Sequence, residues 1–221
     1  MIPTRRTALI AAFAFAALGA SAMGLRGGPG EPPLPTEPEP EPRVALQEPA
    51  PPFELQDLSG RTVRLADHQG KIVVLEWTNP KCPVIQRCYA SELVRDTLGE
   101  LEELGGVVYL AINSTGNIPR DEVVARSREF LAQHDLSGMT VLIDHDGTVG
   151  HRYDARRTPH MFVIDARGVL RYHGAYTDDP TGRRRDATNL VLAAVRQVKA
   201  QRTVAPEYVR PYGCSVKYAA K

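Results

Sequence analysis

Two short apolar runs, Lys71–Trp77 (KIVVLEW) and Val107–Ile112 (VVYLAI), bracket a stretch with helical periodicity. Both runs have the length and the β-branched content of strands buried on both faces. Between them, Cys82–Leu104 repeats apolar residues at Val84, Leu93, Leu98, Leu101 and Leu104, and Gly105-Gly106 stops it. A strand, a helix and a second strand in that order demand parallel strands joined by a helical crossover. This pattern most narrows what the chain can become, and the segments after it extend it. Pro119–His134 opens with Pro-Arg-Asp-Glu and repeats Val123, Val124, Phe130 and Leu131, so it predicts a second helix. Thr140–Ile143 predicts a third short strand.

Met161–Asp165 and Val169–His173 are joined by Ala166-Arg167-Gly168, which predicts a hairpin, and Arg185–Gln201 predicts a final helix. Ahead of this series, Phe53–Leu58 and Thr62–Leu65 flank Ser59-Gly60 and predict a small hairpin. The expected order is βαβαβ, then a hairpin, then a helix. An α/β fold follows, with a mixed central β-sheet flanked by helices.

The chain has 221 residues, a formal net charge of +1 and 43% hydrophobic residues. These values suit one domain with extensions and leave no basic footprint for nucleic acid. Residues 1–22 read as a signal peptide: Arg5 and Arg6 precede an apolar run, Ala8–Ala20, and Ala20-Ser21-Ala22 supplies a small-residue cleavage site near Met23. The run is shorter than the roughly 20 residues that span a bilayer, so the mature domain is not expected to cross a membrane. An uncleaved anchor and export by either the general or the twin-arginine route stay open. Residues 23–52 read as a Pro/Glu-rich linker, residues 53–202 as the folded domain and residues 203–221 as an irregular tail carrying Cys214. The expected location is exported, periplasmic or otherwise extracytoplasmic, where disulfides form.

Three cysteines are too few for a disulfide scaffold. Cys82 lies in Glu76-Trp77-Thr78-Asn79-Pro80-Lys81-Cys82-Pro83, between a buried strand and a helix. Asn79-Pro80 makes a turn, and Pro83 suits the first helical position. Cys82 is then at or next to the N-cap, where free backbone N–H groups and the positive end of the helix dipole favour the reactive thiolate.

Three stretches carry a family likeness: Trp77–Pro83, Thr158-Pro159-His160-Met161-Phe162-Val163-Ile164-Asp165, and Tyr212-Gly213-Cys214-Ser215-Val216-Lys217-Tyr218. Together they resemble the thioredoxin-like redoxins, in particular the peroxiredoxin-like group related to alkyl hydroperoxide reductase and thiol-specific antioxidant. The resemblance implies a thioredoxin-like fold and a cis peptide bond before Pro159, which would place a backbone edge beside Cys82 for a partner peptide. It also implies Cys82 as the nucleophile. Two departures follow from the residues. Ile85 stands where thioredoxins carry their second cysteine and where typical peroxiredoxins carry the peroxidatic one.

Cys88, six residues after Cys82, is out of disulfide reach along an intact helix and reads as a small buried side chain. Cys214 lies on a tail able to fold back over the site, and the expected redox pair is Cys82 with Cys214. Glu76 lies within an apolar strand. It either is buried with a raised pKa and relays protons to Cys82, or points outward to a basic partner. His160, beside Pro159, has a place near Cys82 in one reading, which would join Cys82, Cys88 and His160 in a thiolate–imidazole metal site, although the spacing matches no strong metal signature. Asp144-His145-Asp146-Gly147 lacks the later ligands of a calcium loop and reads as a polar turn, and Arg183-Arg184-Arg185 as a solvated surface.

The expected function is an exported thiol-disulfide oxidoreductase with Cys82, Cys214 and Pro159 at its site. It requires no bound cofactor or metal and draws electrons from a thiol/disulfide protein partner. A peroxiredoxin-like peroxidase and a non-enzymatic metal-binding or protein-interaction module are the alternatives.

Overall fold

The computed structural model describes residues 44–220. Residues 1–22, read as a signal peptide, and most of the Pro/Glu-rich stretch lie outside the described residues. The elements are β1 (Glu54–Asp57), β2 (Thr62–Arg64), β3 (Ile72–Trp77), α1 (Pro83–Ala90), α2 (Leu93–Leu104), β4 (Val107–Asn113), α3 (Arg120–Gln133) and β5 (Val141–Ile143). They continue with α4 (Thr148–Arg152), β6 (Arg157–Thr158), β7 (His160–Ile164), β8 (Leu170–Gly174), α5 (Leu190–Lys199), β9 (Tyr208–Val209) and β10 (Cys214–Ser215). The main sheet runs β2-β1-β5-β4-β3-β7-β8-β9, and β6 and β10 form a separate pair. β3, β4 and β5 are parallel, as the helical crossovers require, whereas β7 and β8 are an antiparallel hairpin. The fold is thioredoxin-like: a mixed sheet with flanking helices and a cis Thr158-Pro159 bond ahead of β7.

Strand alternation divides the core into two layers. Ile72, Val74, Ala111, Met161 and Val163 face one side, packed against Ile85, Val94, Leu101, Val191 and Val195 of α1, α2 and α5. Val73, Leu75, Trp77, Ile112 and Phe162 face the other, where α4 contributes Val149.

The expected single helix over Cys82–Leu104 is two helices. Glu92 breaks it in a left-handed conformation, φ 64°. Phase is the physical reason. α1 buries Ile85, Cys88 and Tyr89, and α2 buries Val94, Thr97 and Leu101. Tyr89 and Val94 are five residues apart, which in an unbroken helix would point them about 140° apart. The break brings both faces onto the same layer. The last helix is also shorter than expected: Asn189 caps it, its Oδ1 accepting from the Leu192 N–H at 3.0 Å.

The folded unit begins ahead of Phe53. Residues 44–52, expected as linker, lie on the domain: the Val44 N–H donates to the Arg152 carbonyl, the Gln47 N–H to that of Leu170 and the Ala50 N–H to that of Gly168, each at 2.9 Å. These backbone groups find partners at the end of α4 and in the β7–β8 hairpin, which a reading of composition does not reveal. The tail expected to be irregular supplies β9 and β10.

Candidate active site

β3 ends at Trp77, and the chain turns through Thr78–Lys81 into α1. Asn79 builds the turn. Its Oδ1 accepts from the Lys81 N–H at 2.8 Å, and its backbone carbonyl from the Cys82 N–H at 2.9 Å. Its Nδ2 donates to Thr115 Oγ1 at 3.3 Å, tying the turn to the loop after β4. Cys82 is the N-cap of α1 in an extended conformation, with Pro83 as the first helical residue.

Cys82 is 2% exposed. Its S–H donates to the Thr158 carbonyl at 3.1 Å, on the residue before cis-Pro159. From the other side comes the tail. β10 pairs antiparallel with β6, and Cys214 lies opposite Thr158. The approach is close enough that a Cβ on Gly213 would collide with the Thr158 carbonyl, and Gly213 takes φ +111°.

Cys82 and Cys214 line the same cleft, and their acidities diverge. Burial pushes the Cys82 thiol up. The adjacent Cys214 thiol, aided by the Thr158 side chain and the Ile85 backbone N–H, outweighs it and holds Cys82 below the ordinary thiol value. Cys214 moves up, through burial first and then through the adjacent Cys82. Cys82 is therefore the more acidic thiol of the pair. All three cysteines are free thiols.

The tail is fastened on both sides of Cys214. Tyr212 OH shares a 2.7 Å hydrogen bond with Thr177 Oγ1. Downstream, the Gly116 N–H donates to the Lys217 carbonyl at 2.8 Å, and Tyr218 OH donates to the Ala155 carbonyl at 2.7 Å. The Tyr218 ring stacks on His151 at 4.1 Å and covers Gly147 and Gly150, neither of which has room for a Cβ.

Glu76 is fully buried, which removes the outward-pointing alternative, and no ion pair reaches it among the described residues. Tyr109 OH donates to its Oε2 at 2.6 Å and Tyr89 OH at 3.1 Å, while Oε1 has no hydrogen-bond partner. Burial pushes this carboxyl up to about 7, against the pull of the tyrosine hydroxyls. Glu76 makes its bonds with the tyrosines and none with Cys82. Cys88 stands in the same layer and feels the charge of both. Burial first, then Glu76, pushes its thiol up to about 12. The tyrosines come from α1 and β4, so no local sequence signal marks this cluster.

His160 is on the opposite layer from Cys82. Its ring lies 4.4 Å from that of Phe162, and its Nε2 meets His173 Nδ1 at 3.3 Å. Burial and His173 push it down to about 3. Alternation along β7 thus separates His160 from Cys82 and Cys88, and the proposed metal trio does not assemble. The Asp144 turn is polar and internally satisfied: Ser114 Oγ donates to its carboxylate at 2.6 Å and the Gly150 N–H at 2.8 Å. The backbone N–H groups of Arg183 and Arg184 donate to Asp179, and the three arginine side chains are exposed.

A cleft of about 200 Å³ opens beside Cys82 and Cys214, lined in part by Asn79, Lys81, Thr115, Arg126 and Lys217.

Comparison with known proteins covers most of this domain. The AhpC/TSA family model matches residues 46–173. Methylamine utilization protein MauD of Paracoccus denitrificans is 28% identical over 127 residues, which are 57% of this chain and 56% of that protein, so the chain spans about half the length of that relative. Thiol-disulfide oxidoreductase ResA of Geobacillus thermodenitrificans is 32% identical over 130 residues, 58% of this chain and 68% of that protein. Among solved structures, a hypothetical protein from Sinorhizobium meliloti superposes with a TM-score of 0.68 at 26% identity, over 80% of this chain and 97% of that one. Cys214 lies beyond the last residue that the family model matches.

Proposed function

Because the chain belongs to the AhpC/TSA family, we propose that it is a thiol-disulfide oxidoreductase in which Cys82 attacks and Cys214 resolves. One observation carries this reading: β10 sets Cys214 opposite Thr158, whose carbonyl the Cys82 sulfur meets at the cis-Pro159 edge, and the two acidities diverge in the direction the chemistry needs. Cys82 as thiolate attacks one sulfur of a disulfide, forming a mixed disulfide and releasing the first thiolate, which takes a proton. Cys214 then loses its proton and attacks the Cys82 sulfur, and the second thiolate leaves. The substrate disulfide gains two electrons and the protein pair becomes a disulfide. A thiol/disulfide partner returns the electrons by attack on Cys214, the more exposed sulfur. Pro159 shapes the edge, and Glu76 is the buried acid that trades a proton with the exchanging pair. Dithiol exchange carries its own electron pair, so no bound cofactor is called for.

Oxidation of the full chain with stoichiometric disulfide is expected to link Cys82 to Cys214 and to leave Cys88 as a free thiol. Cys88 resists alkylation at neutral pH until the protein unfolds, because burial keeps it protonated. Peptide mapping checks this, and Cys82 and Cys214 both free after oxidation would remove the pairing. A peroxidase reading has less support, since Ile85, fully buried, stands in the peroxidatic position. Export remains part of the proposal and rests on residues 1–22. Mass analysis of the mature chain from its own cells is expected to find it starting near Met23 outside the cytoplasm. An intact Met1 terminus in the cytoplasm would reverse that part.

A further inference from the structure

The backbone edge beside Cys82 is occupied by the chain itself. β6 ends at Thr158, next to the reactive sulfur, and its partner is β10. An extended polypeptide docks on a sheet by pairing with such an edge, its main-chain groups supplying the affinity. Here those groups are already paired with an extended segment, and that segment places a cysteine, Cys214, opposite Thr158 and in the cleft that Cys82 lines. The tail therefore lies as a docked disulfide-bearing peptide would. Tyr212 and Tyr218 fasten it on either side, and Gly116 holds it between them. Lifting it breaks these bonds and uncovers the stacked Tyr218 ring.

What stays open is the cleft of about 200 Å³. No acidic side chain lines it, while Lys81, Arg126 and Lys217 do. Arg126 is paired with Glu122, whereas among the described residues neither Lys81 nor Lys217 has an ion-pair partner. The exposed ammonium groups give the cleft a positive mouth, which concentrates anions.

We propose that the Tyr212–Tyr218 strap fills the peptide-docking edge in cis, so that Cys82 takes small anionic disulfides through the cleft rather than extended polypeptide disulfides. This rests on the exchange reading above, and the bonds made and broken are the same: the anionic disulfide leaves as two thiols, and Cys82 and Cys214 become a disulfide.

The test uses the reduced full chain and three probes, each rate normalised to that of dithiothreitol with the same probe. The probes are 3,3′-dithiodipropionate (a dianion), cystamine (a dication of similar size) and a disulfide-linked dimer of a short uncharged peptide. The dianion is expected to oxidise the protein about tenfold faster than cystamine, and high salt removes the preference. Lys81→Gln combined with Lys217→Gln brings the two small probes together. The peptide dimer is expected to react at least about tenfold more slowly than the dianion, the loss being the cost of displacing a paired edge and its anchors. Tyr218→Ala releases the strap and raises the peptide rate. Gly150→Ala expels the same ring from beneath and gives the same order, which guards against a folding defect peculiar to one variant. Comparable normalised rates for all three probes, or a peptide rate unmoved by both strap variants, overturn this inference alone. A Cys82 inert to every probe overturns the exchange reading itself.

Discussion

Cys82→Ser is expected to lower disulfide exchange by roughly 10⁴-fold or more, the scale on which loss of a nucleophile acts. A serine hydroxyl at the α1 N-cap does not ionise near neutral pH, and none of the bonds that favour a Cys82 thiolate makes it do so. The substitution conserves volume at a site 2% exposed, so the fold survives and the loss is chemical. Cys214→Ser behaves differently. Cys82 keeps its place at the α1 N-cap and the Ile85 backbone N–H that lowers its pKa, so the first attack proceeds. The second attack has no sulfur, and the protein accumulates as a mixed disulfide with its substrate. Single-turnover kinetics with mass analysis of the intact protein checks both. Full exchange by Cys82→Ser sinks the nucleophile assignment. Wild-type turnover by Cys214→Ser, without a trapped adduct, sinks the resolving one.

Glu76→Gln is expected to change the pH dependence of stability. The carboxyl titrates at about 7 when folded and at about 4.5 as an ordinary glutamate. Below 4.5 both states hold the proton and the group is neutral in the balance. Between these values the folded state keeps a proton that the unfolded state gives up, so stability falls as pH rises. Above about 7 the loss is complete, on the order of 3 kcal/mol for a shift of this size. Glutamine carries no such charge and still accepts from Tyr89 and Tyr109. The variant is therefore expected to match the natural protein near pH 4.5 and to exceed it by about 3 kcal/mol at pH 8. Urea unfolding of the reduced proteins at both pH values measures the difference, and parallel stability curves would falsify the buried-acid account. The same variant tests the proton role: the inflection near neutral pH in the exchange rate disappears if Glu76 trades a proton with the pair, and stays if the residue only packs.

Much of the fold was legible because its signals are local. The apolar run at Ile72–Trp77, the Asn79-Pro80 turn and Pro83 lie within a few residues of Cys82, and together they set a strand, a stop and a helix start. The β7–β8 hairpin and the helical crossovers follow from periodicity in the same way. Where the reading fell short, the deciding contacts were distant. The break at Glu92 reflects two helix faces being brought onto one sheet layer, and apolar spacing alone reads as a continuous helix. Residues 44–52 are Pro-rich and look like linker, yet the backbone N–H groups of Val44, Gln47 and Ala50 bond to residues more than a hundred positions away. β6 and β10 are two residues each, too short to show any period.

The sequence by itself determined that Cys82 is a helix-start thiol without a local partner, because an N-cap needs only the residues on either side of it and Ile85 occupies the next candidate position. Only the tertiary structure decided what surrounds that thiol. Cys214 reaches it because a tail paired with Thr158, 56 residues earlier in the chain, is pinned by tyrosines on both sides. Glu76 turns inward because tyrosines from α1 and β4 meet over it. Both are long-range contacts, and chain order alone does not specify which distant segments meet.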